Sequence, residues 1–205
     1  MSAGAGRPMR LGVFGGAFDP PHAAHRALVE AALDQLQLDQ LRVIPTGQAW
    51  HKQRALSPAH DRLAMARLAF ADLPRVVVDA RETLRSGPSF TIDTLRELQA
   101  AEADAEIYLV IGQDQAAALP SWHEWQEVAR LAIICVAARP DPTGATRALL
   151  PLMGLGQRCR QLNFPNLPVS ATDIRQRIAR GHGVVPLVSD AVARYIADHH
   201  LYLSA

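Results

Sequence analysis

Cysteine is scarce in this sequence, charge is nearly balanced, and no apolar run is long. Cys135 and Cys159 are the only two cysteines among 205 residues, and no CxxC pair occurs. That excludes a disulfide scaffold and points to a reducing compartment. The formal net charge is +1. A chain so balanced offers no basic stripe for a duplex, so nucleic acid is not expected as its partner. No stretch approaches the roughly 20 apolar residues of a membrane helix. The opening Met1 to Pro8 lacks the apolar segment and cleavage site of a signal peptide. Internal repeats and low-complexity linkers are also missing. These absences leave a cytoplasmic protein with no membrane association as the expectation, and they say nothing of oligomeric state.

What is present suits one domain. Hydrophobic residues make up 49% of the chain, enough for a sizeable core. Residues 1–9 read as a flexible lead-in and 10–205 as the domain. Strands are predicted at 10–16, 41–45, 75–79, 106–112, around 131–137 and at 158–163. Helices are predicted at 20–38, 58–72, 91–103 and 143–152, with two closing helices at 170–180 and 189–200. Val29, Ala32, Leu33 and Leu36 show the helical spacing. The run Leu131 to Ala137 is continuously apolar, so Cys135 within it reads as a buried small hydrophobe. Strands alternating with helices, several of them apolar throughout, indicate an α/β fold with a doubly wound parallel sheet. Ligands of such sheets bind beyond the carboxyl ends of the strands. Gly15-Gly16 and Gly112-Gln113-Asp114 both follow strands and are expected to border one crevice.

The richest window is Gly12 to His25. Gly15 and Gly16 allow close backbone approach to an anion. Asp19 fits a helix N-cap and Pro20 the first helical position. Amides at a helix start attract phosphate. His22 and His25, three apart, share a helix face. On residues alone they serve either as a phosphate contact or as a capping and packing pair. A zinc pair is disfavoured, because no nearby cysteine or glutamate completes a set. Later in the chain, Ser170-x-x-Asp173 reads as a capping box that also presents amides. Arg175 follows on the same helix, either against phosphate or solvated. Trp122 and Trp125 suit core packing, and Trp122 sits beside Pro120-Ser121 in a loop. The remaining histidines, His60, His123, His182, His199 and His200, read as surface residues.

The run Gly15-Gly16-Ala17-Phe18-Asp19-Pro20-Pro21-His22-Ala23-Ala24-His25 resembles the signature of nucleotidyltransferases that share a motif with class I aminoacyl-tRNA synthetases. Six further segments are similar to one branch, bacterial nicotinate-nucleotide adenylyltransferase. They are His51-Lys52-Gln53, Gly87 to Leu95, Ile111 to Asp114, Leu119 to Trp125, Val169 to Arg175, and the tail Tyr195 to Tyr202. Together they span residues 11 to about 202. The resemblance implies a Rossmann-like nucleotidyltransferase fold with C-terminal helices. It also implies transfer of an adenylyl group from ATP to nicotinate mononucleotide, giving deamido-NAD and pyrophosphate.

By the same resemblance, His22, His25, Lys52 and Arg175 are the catalytic residues. Gly15, Gly16, Ala17, Phe18, Gly112, Asp114, Ser170 and Thr172 bind ATP, with Asp114 on a ribose hydroxyl. Ser89, Thr91 and Trp122 bind the mononucleotide, Trp122 by stacking on its pyridine ring. A helix N-cap is the other reading of Thr91. Magnesium is implied as a bridge between ATP phosphates, with no direct protein ligand. Two positions depart from the family pattern. Ala24 stands where glycine is usual, and Ala171 replaces a hydroxyl residue. Alternatives are another phosphorylated acceptor, such as nicotinamide mononucleotide or phosphopantetheine, and a non-catalytic nucleotide-binding module. A dinucleotide-dependent oxidoreductase is disfavoured, because Gly12-x-x-Gly15-Gly16 is not GxGxxG.

Overall fold

The computed structural model of the protein describes residues 7–48, 56–138, 154–164 and 167–203. Six parallel strands form one sheet: β1 (Arg10–Gly16), β2 (Gln40–Pro45), β3 (Val76–Val78), β4 (Glu106–Gly112), β5 (Ala132–Ala138) and β6 (Cys159–Asn163). Their order is β3-β2-β1-β4-β5-β6. The helices are α1 (Ala23–Gln35), α2 (Ala59–Phe70), α3 (Arg81–Leu84), α4 (Thr91–Ala101), α5 (Gln113–Ala118), α6 (Trp125–Leu131), α7 (Ala171–Ala179) and α8 (Asp190–Asp198), with a 3-10 turn at Leu119–Ser121. The expected doubly wound α/β fold is present.

Successive strand residues point to opposite faces, and each face has its own core. Phe14, Tyr108, Val110, Ile133 and Cys135 pack with α1, α2, α7 and α8 through Val29, Met65, Ile174 and Val192. Leu11, Val13, Ile107, Leu109, Ile134 and Val136 pack with α4 and α6 through Ile92, Leu95, Leu98 and Val128. Burial on both faces is why these strands are apolar throughout rather than alternating.

The strand order reverses between β1 and β4, and there the sheet parts. β1 stays in register with β2 as far as Gly16 opposite Pro45. β4 stays in register with β5 as far as Gly112 opposite Ala137. Between β1 and β4 the ladder ends at Val13 opposite Leu109. The last residues of both strands therefore diverge, opening a crevice at their carboxyl ends where doubly wound sheets take ligands.

Three local expectations are corrected. α1 starts at Ala23 with His22 as its N-cap, not at Pro20 behind Asp19. The Asp19 side chain is 2% exposed and does not cap the helix. It instead accepts hydrogen bonds from the Ser57 amide at 3.2 Å and the Tyr202 hydroxyl at 2.6 Å. Gly15 and Gly16 close β1, as the predicted strand over 10–16 requires, and the chain turns at Phe18, whose φ is 49°. α3 forms a single turn where only a loop is expected, and Leu131 closes α6 instead of opening β5. The predicted helix at 143–152, together with Trp50, His51 and Lys52, lies outside the described residues.

One side chain ties these loops together. Arg62, 1% exposed, donates to four main-chain carbonyls. They are Ser57 (2.8 Å), Ala17 (3.0 Å), Thr46 (2.6 Å) and Gly47 (3.2 Å). The loops after β1 and β2 and the approach to α2 thus share a single guanidinium. Gly47 must be bare here, because a Cβ would sit 2.0 Å from the Glu82 carbonyl oxygen. Replacing Arg62 by Met leaves those four carbonyls buried without their donor and removes a cation that attracts the buried Asp19 carboxylate. The expected cost is at least about 3 kcal/mol. In a chain of this size that lowers Tm by roughly 6–12 °C in a thermal melt. A variant that melts within about 2 °C of wild type contradicts the assignment.

Candidate active site

β1 and β4 end where the sheet parts, and α1 and α5 follow them in the chain. α1 begins directly beyond β1, so its amides open toward the parting of the sheet. The Ala23 amide is taken by the Leu187 carbonyl at 2.8 Å, which pins the helix start to the segment before α8. Ala24 lies in the first helical turn, where alanine is intrinsically better than glycine by about 1 kcal/mol.

His22 and His25 do share a face. Their rings stack with centroids 3.7 Å apart and planes 22° from parallel. The His22 amide donates to His25 Nδ1 at 3.2 Å. An amide can only donate, so Nδ1 is the lone-pair nitrogen and the proton of neutral His25 sits on Nε2. The backbone thus sets the tautomer that presents a donor. Phe18 holds the same ring edge-on at 5.0 Å. The His22 ring is partly buried. Its Nδ1 is buried without a hydrogen-bond partner among the described residues. Burial pushes its pKa from 6.5 down to about 4.

Arg175 reaches the same end of the sheet from α7. Its guanidinium donates to the Asp19 carbonyl at 2.8 Å and to Thr172 Oγ1 at 3.1 Å. Ser170 caps α7 as read from sequence, but the reciprocal half differs: Ser170 Oγ accepts from the Asp173 amide, and the Asp173 carboxylate accepts from that hydroxyl rather than from the Ser170 amide. Both functions of the Ser170 hydroxyl are therefore in use, while the exposed Thr172 hydroxyl keeps its proton to donate. Phe18 is 1% exposed, so beside Ala17 it can offer only its backbone to a ligand. Across the parting, Gly112 is the N-cap of α5 and Asp114 stands exposed in its first turn.

The segments predicted to hold the acceptor meet each other. The Phe90 ring lies 4.6 Å from the His123 ring, giving His123 a packing contact the sequence did not suggest. Arg96 on α4 pairs with Glu124 at 2.6 Å. These contacts bring Ser89 and Thr91 onto the same side as Trp122. Phe90 is the N-cap of α4 and Thr91 its first residue, so the capping alternative for Thr91 falls. The Ser89 Oγ is buried and unpartnered among the described residues. Trp122 is half-buried, packed on one side against the α4 and α6 core. Trp125 packs against that core as well.

The residues that sequence reasoning missed are Arg62 and the structural role of Asp19. Arg62 carried a signal: it shares the buried stripe of α2 with Met65, Ala66, Ala69 and Phe70, at a spacing where an apolar residue is expected. Asp19 carried none, because its partners come from distant parts of the chain.

A family model described as cytidylyltransferase-like matches residues 13–177. A probable nicotinate-nucleotide adenylyltransferase of Albidiferax ferrireducens is 62% identical over 196 residues, covering 96% of this chain and 99% of that protein. The chain belongs to the nicotinate-nucleotide adenylyltransferase family. A second relative of that description, from Methylibium petroleiphilum, is 43% identical and covers 94% of this chain and 92% of its own length. The solved Plasmodium falciparum nicotinic acid mononucleotide adenylyltransferase complexed with NaAD superposes with a TM-score of 0.78 at 16% identity, over 95% of this chain and 97% of that one. That likeness shows the fold alone. The nicotinate-nucleotide adenylyltransferase relatives themselves cover nearly the whole chain.

The depressed His22 pKa sets a pH dependence. The unfolded chain takes the proton near 6.5 and the folded chain only near 4. The folded state therefore keeps its full advantage above the first value and loses it toward the second, by on the order of 3 kcal/mol. The stability of wild type relative to His22→Gln is expected to shrink over that interval in melts at matched ionic strength. A difference that is flat across the interval contradicts the burial of this imidazole.

Proposed function

We propose that the protein transfers the adenylyl group of ATP to nicotinate mononucleotide, releasing pyrophosphate and forming deamido-NAD. The observation that carries this reading is the stacked His22–His25 pair at the start of α1, set where β1 and β4 part. The family relationship supplies the substrates to test.

The chemistry suits the residues. The nucleophile is a phosphate oxygen of the mononucleotide, already ionised at neutral pH, so no general base is required. It attacks the α-phosphorus of ATP, and the bond to the oxygen bridging to the β-phosphorus breaks. Pyrophosphate carries that oxygen and the charge away. Catalysis then rests on alignment and on donors placed where charge gathers. The Nε2 proton of His25 and the Arg175 guanidinium are such donors. His22 enters neutral, and an adjacent phosphate favours its protonation. Lys52 would add a further cation to the triphosphate.

We assign ATP to Gly15, Gly16, the backbone of Ala17 and Phe18, Gly112 and Asp114, with Thr172 and the α7 amides on the phosphates. Ser170 contributes by capping that helix. Ser89, Thr91 and the open side of the Trp122 ring receive the mononucleotide. Among the described residues, no group of three or more His, Cys, Asp or Glu is placed to hold a metal ion. Both Asp19 carboxylate oxygens are engaged with the chain itself. Magnesium brought in with ATP would be held by phosphate oxygens and water. A cytoplasmic setting suits the unpaired Cys135 and Cys159, and no described helix is long and apolar enough to cross a membrane.

Pyrophosphate release is measured with ATP and either nicotinate or nicotinamide mononucleotide, in parallel. Release with the acid form at the higher kcat/KM is expected. No release with either mononucleotide overturns the reading in favour of a binding module. His25→Ala is expected to lower kcat by about 100-fold while changing ATP affinity far less. Unchanged turnover would remove His25 from the chemistry.

A further inference from the structure

The tail of the chain is the one sequence segment the proposed reaction leaves unused. α8 ends at Asp198, and the next residues curl back toward the sheet. The Leu201 amide donates to the Ile196 carbonyl, and His200 and Tyr202 take left-handed φ values of 51° and 65°. A left-handed tyrosine is uncommon and costs on the order of 1 kcal/mol, so something must hold it. The Tyr202 hydroxyl lies 2.6 Å from Asp19 Oδ1, across 183 residues of sequence. Asp19 Oδ2 accepts from the Ser57 amide, and the Asp19 carbonyl accepts from Arg175. The Tyr202 ring sits over α2, its hydroxyl 4.0 Å from Met65 Sδ.

We propose that Tyr202 is a positioning residue for adenylyl transfer: its hydroxyl fixes Asp19, whose main-chain carbonyl holds the Arg175 guanidinium toward the phosphates. The inference rests on the proposed function. Asp19 lies at the reversal between β1 and α1, with a proline on its C-terminal side. Its side chain takes one hydrogen bond from Tyr202 and one from the loop before α2. Removing the first takes from Asp19 its anchor to the C-terminal tail. Arg175 would keep its charge and its Thr172 contact yet lose a fixed direction. Burial and the Asp19 carboxylate both raise the phenol's pKa, so the hydroxyl remains a donor at working pH.

The test is a double-mutant cycle on the pyrophosphate assay, using wild type, Tyr202→Phe, Arg175→Ala and the double variant. All four are compared well below the lowest Tm. Activity of the wild type with nicotinate mononucleotide is established first. Its failure would overturn the proposed function, whatever the variants do. Given an active wild type, Tyr202→Phe is expected to lower kcat by roughly tenfold, as for loss of a hydrogen bond to a charged group, with KM for the mononucleotide little changed. Added to Arg175→Ala, the same substitution should produce no further loss. An equal loss in both backgrounds, or wild-type turnover of Tyr202→Phe, overturns the proposal. Should Tyr202→Phe not fold, Asp19→Asn replaces it in the same cycle. Non-additivity with Arg175→Ala supports the proposal, and additivity overturns it.

Discussion

Arg62 is the side chain on which the candidate site most depends. A guanidinium removed from water needs acceptors at nearly every N–H. Arg62 finds them in carbonyls of Ala17, Thr46, Gly47 and Ser57. Those carbonyls belong to loops that would otherwise be independent, and the loops frame the carboxyl ends of β1 and β2. Burial lowers the Arg62 pKa, opposed by the attraction of the Asp19 carboxylate. Asp19 in turn anchors the tail through Tyr202 and α7 through Arg175. One buried cation and one buried carboxylate thus connect both loops, α2, α7 and the C-terminal segment.

That network explains how a site for a polyanion can be assembled without a surplus of exposed positive charge. The formal net charge of the chain is +1, so a general field attracts little. The proposed site relies instead on placed donors: helix amides, a tautomer-locked imidazole and one oriented arginine. Such donors need no reorganisation when charge shifts from the attacking oxygen to the leaving pyrophosphate. The neutral state of His22 belongs to the same economy of charge. A cation at this buried position would destabilise the free protein through lost hydration, whereas an arriving phosphate reverses that balance.

Much of this was legible in the sequence, for particular physical reasons. β4 and β5 announce themselves because strands buried on both faces must be apolar at every position. The Ser170 cap on the Asp173 amide is a local device, and local devices can be read locally. The sharing of one face by His22 and His25 follows from helical spacing alone. The start of α1 was misplaced because Asp19 has the right chemistry for a cap and spends it on Ser57 and Tyr202. α3 is too short for periodicity to show. The role of Arg62 required knowing that three loops converge, which no window of sequence contains. Only its place on the buried stripe of α2 marked it.

The central claim is that the parting of β1 and β4, with the start of α1 and the face of α7 beside it, is a triphosphate site. A crystal structure with a non-hydrolysable ATP analogue tests it most directly. The phosphates are predicted within hydrogen-bond distance of His25 Nε2 and the Arg175 guanidinium, with the Asp19 carbonyl still bound to Arg175. Phosphates bound elsewhere, or an Arg175 turned away from them, would contradict it.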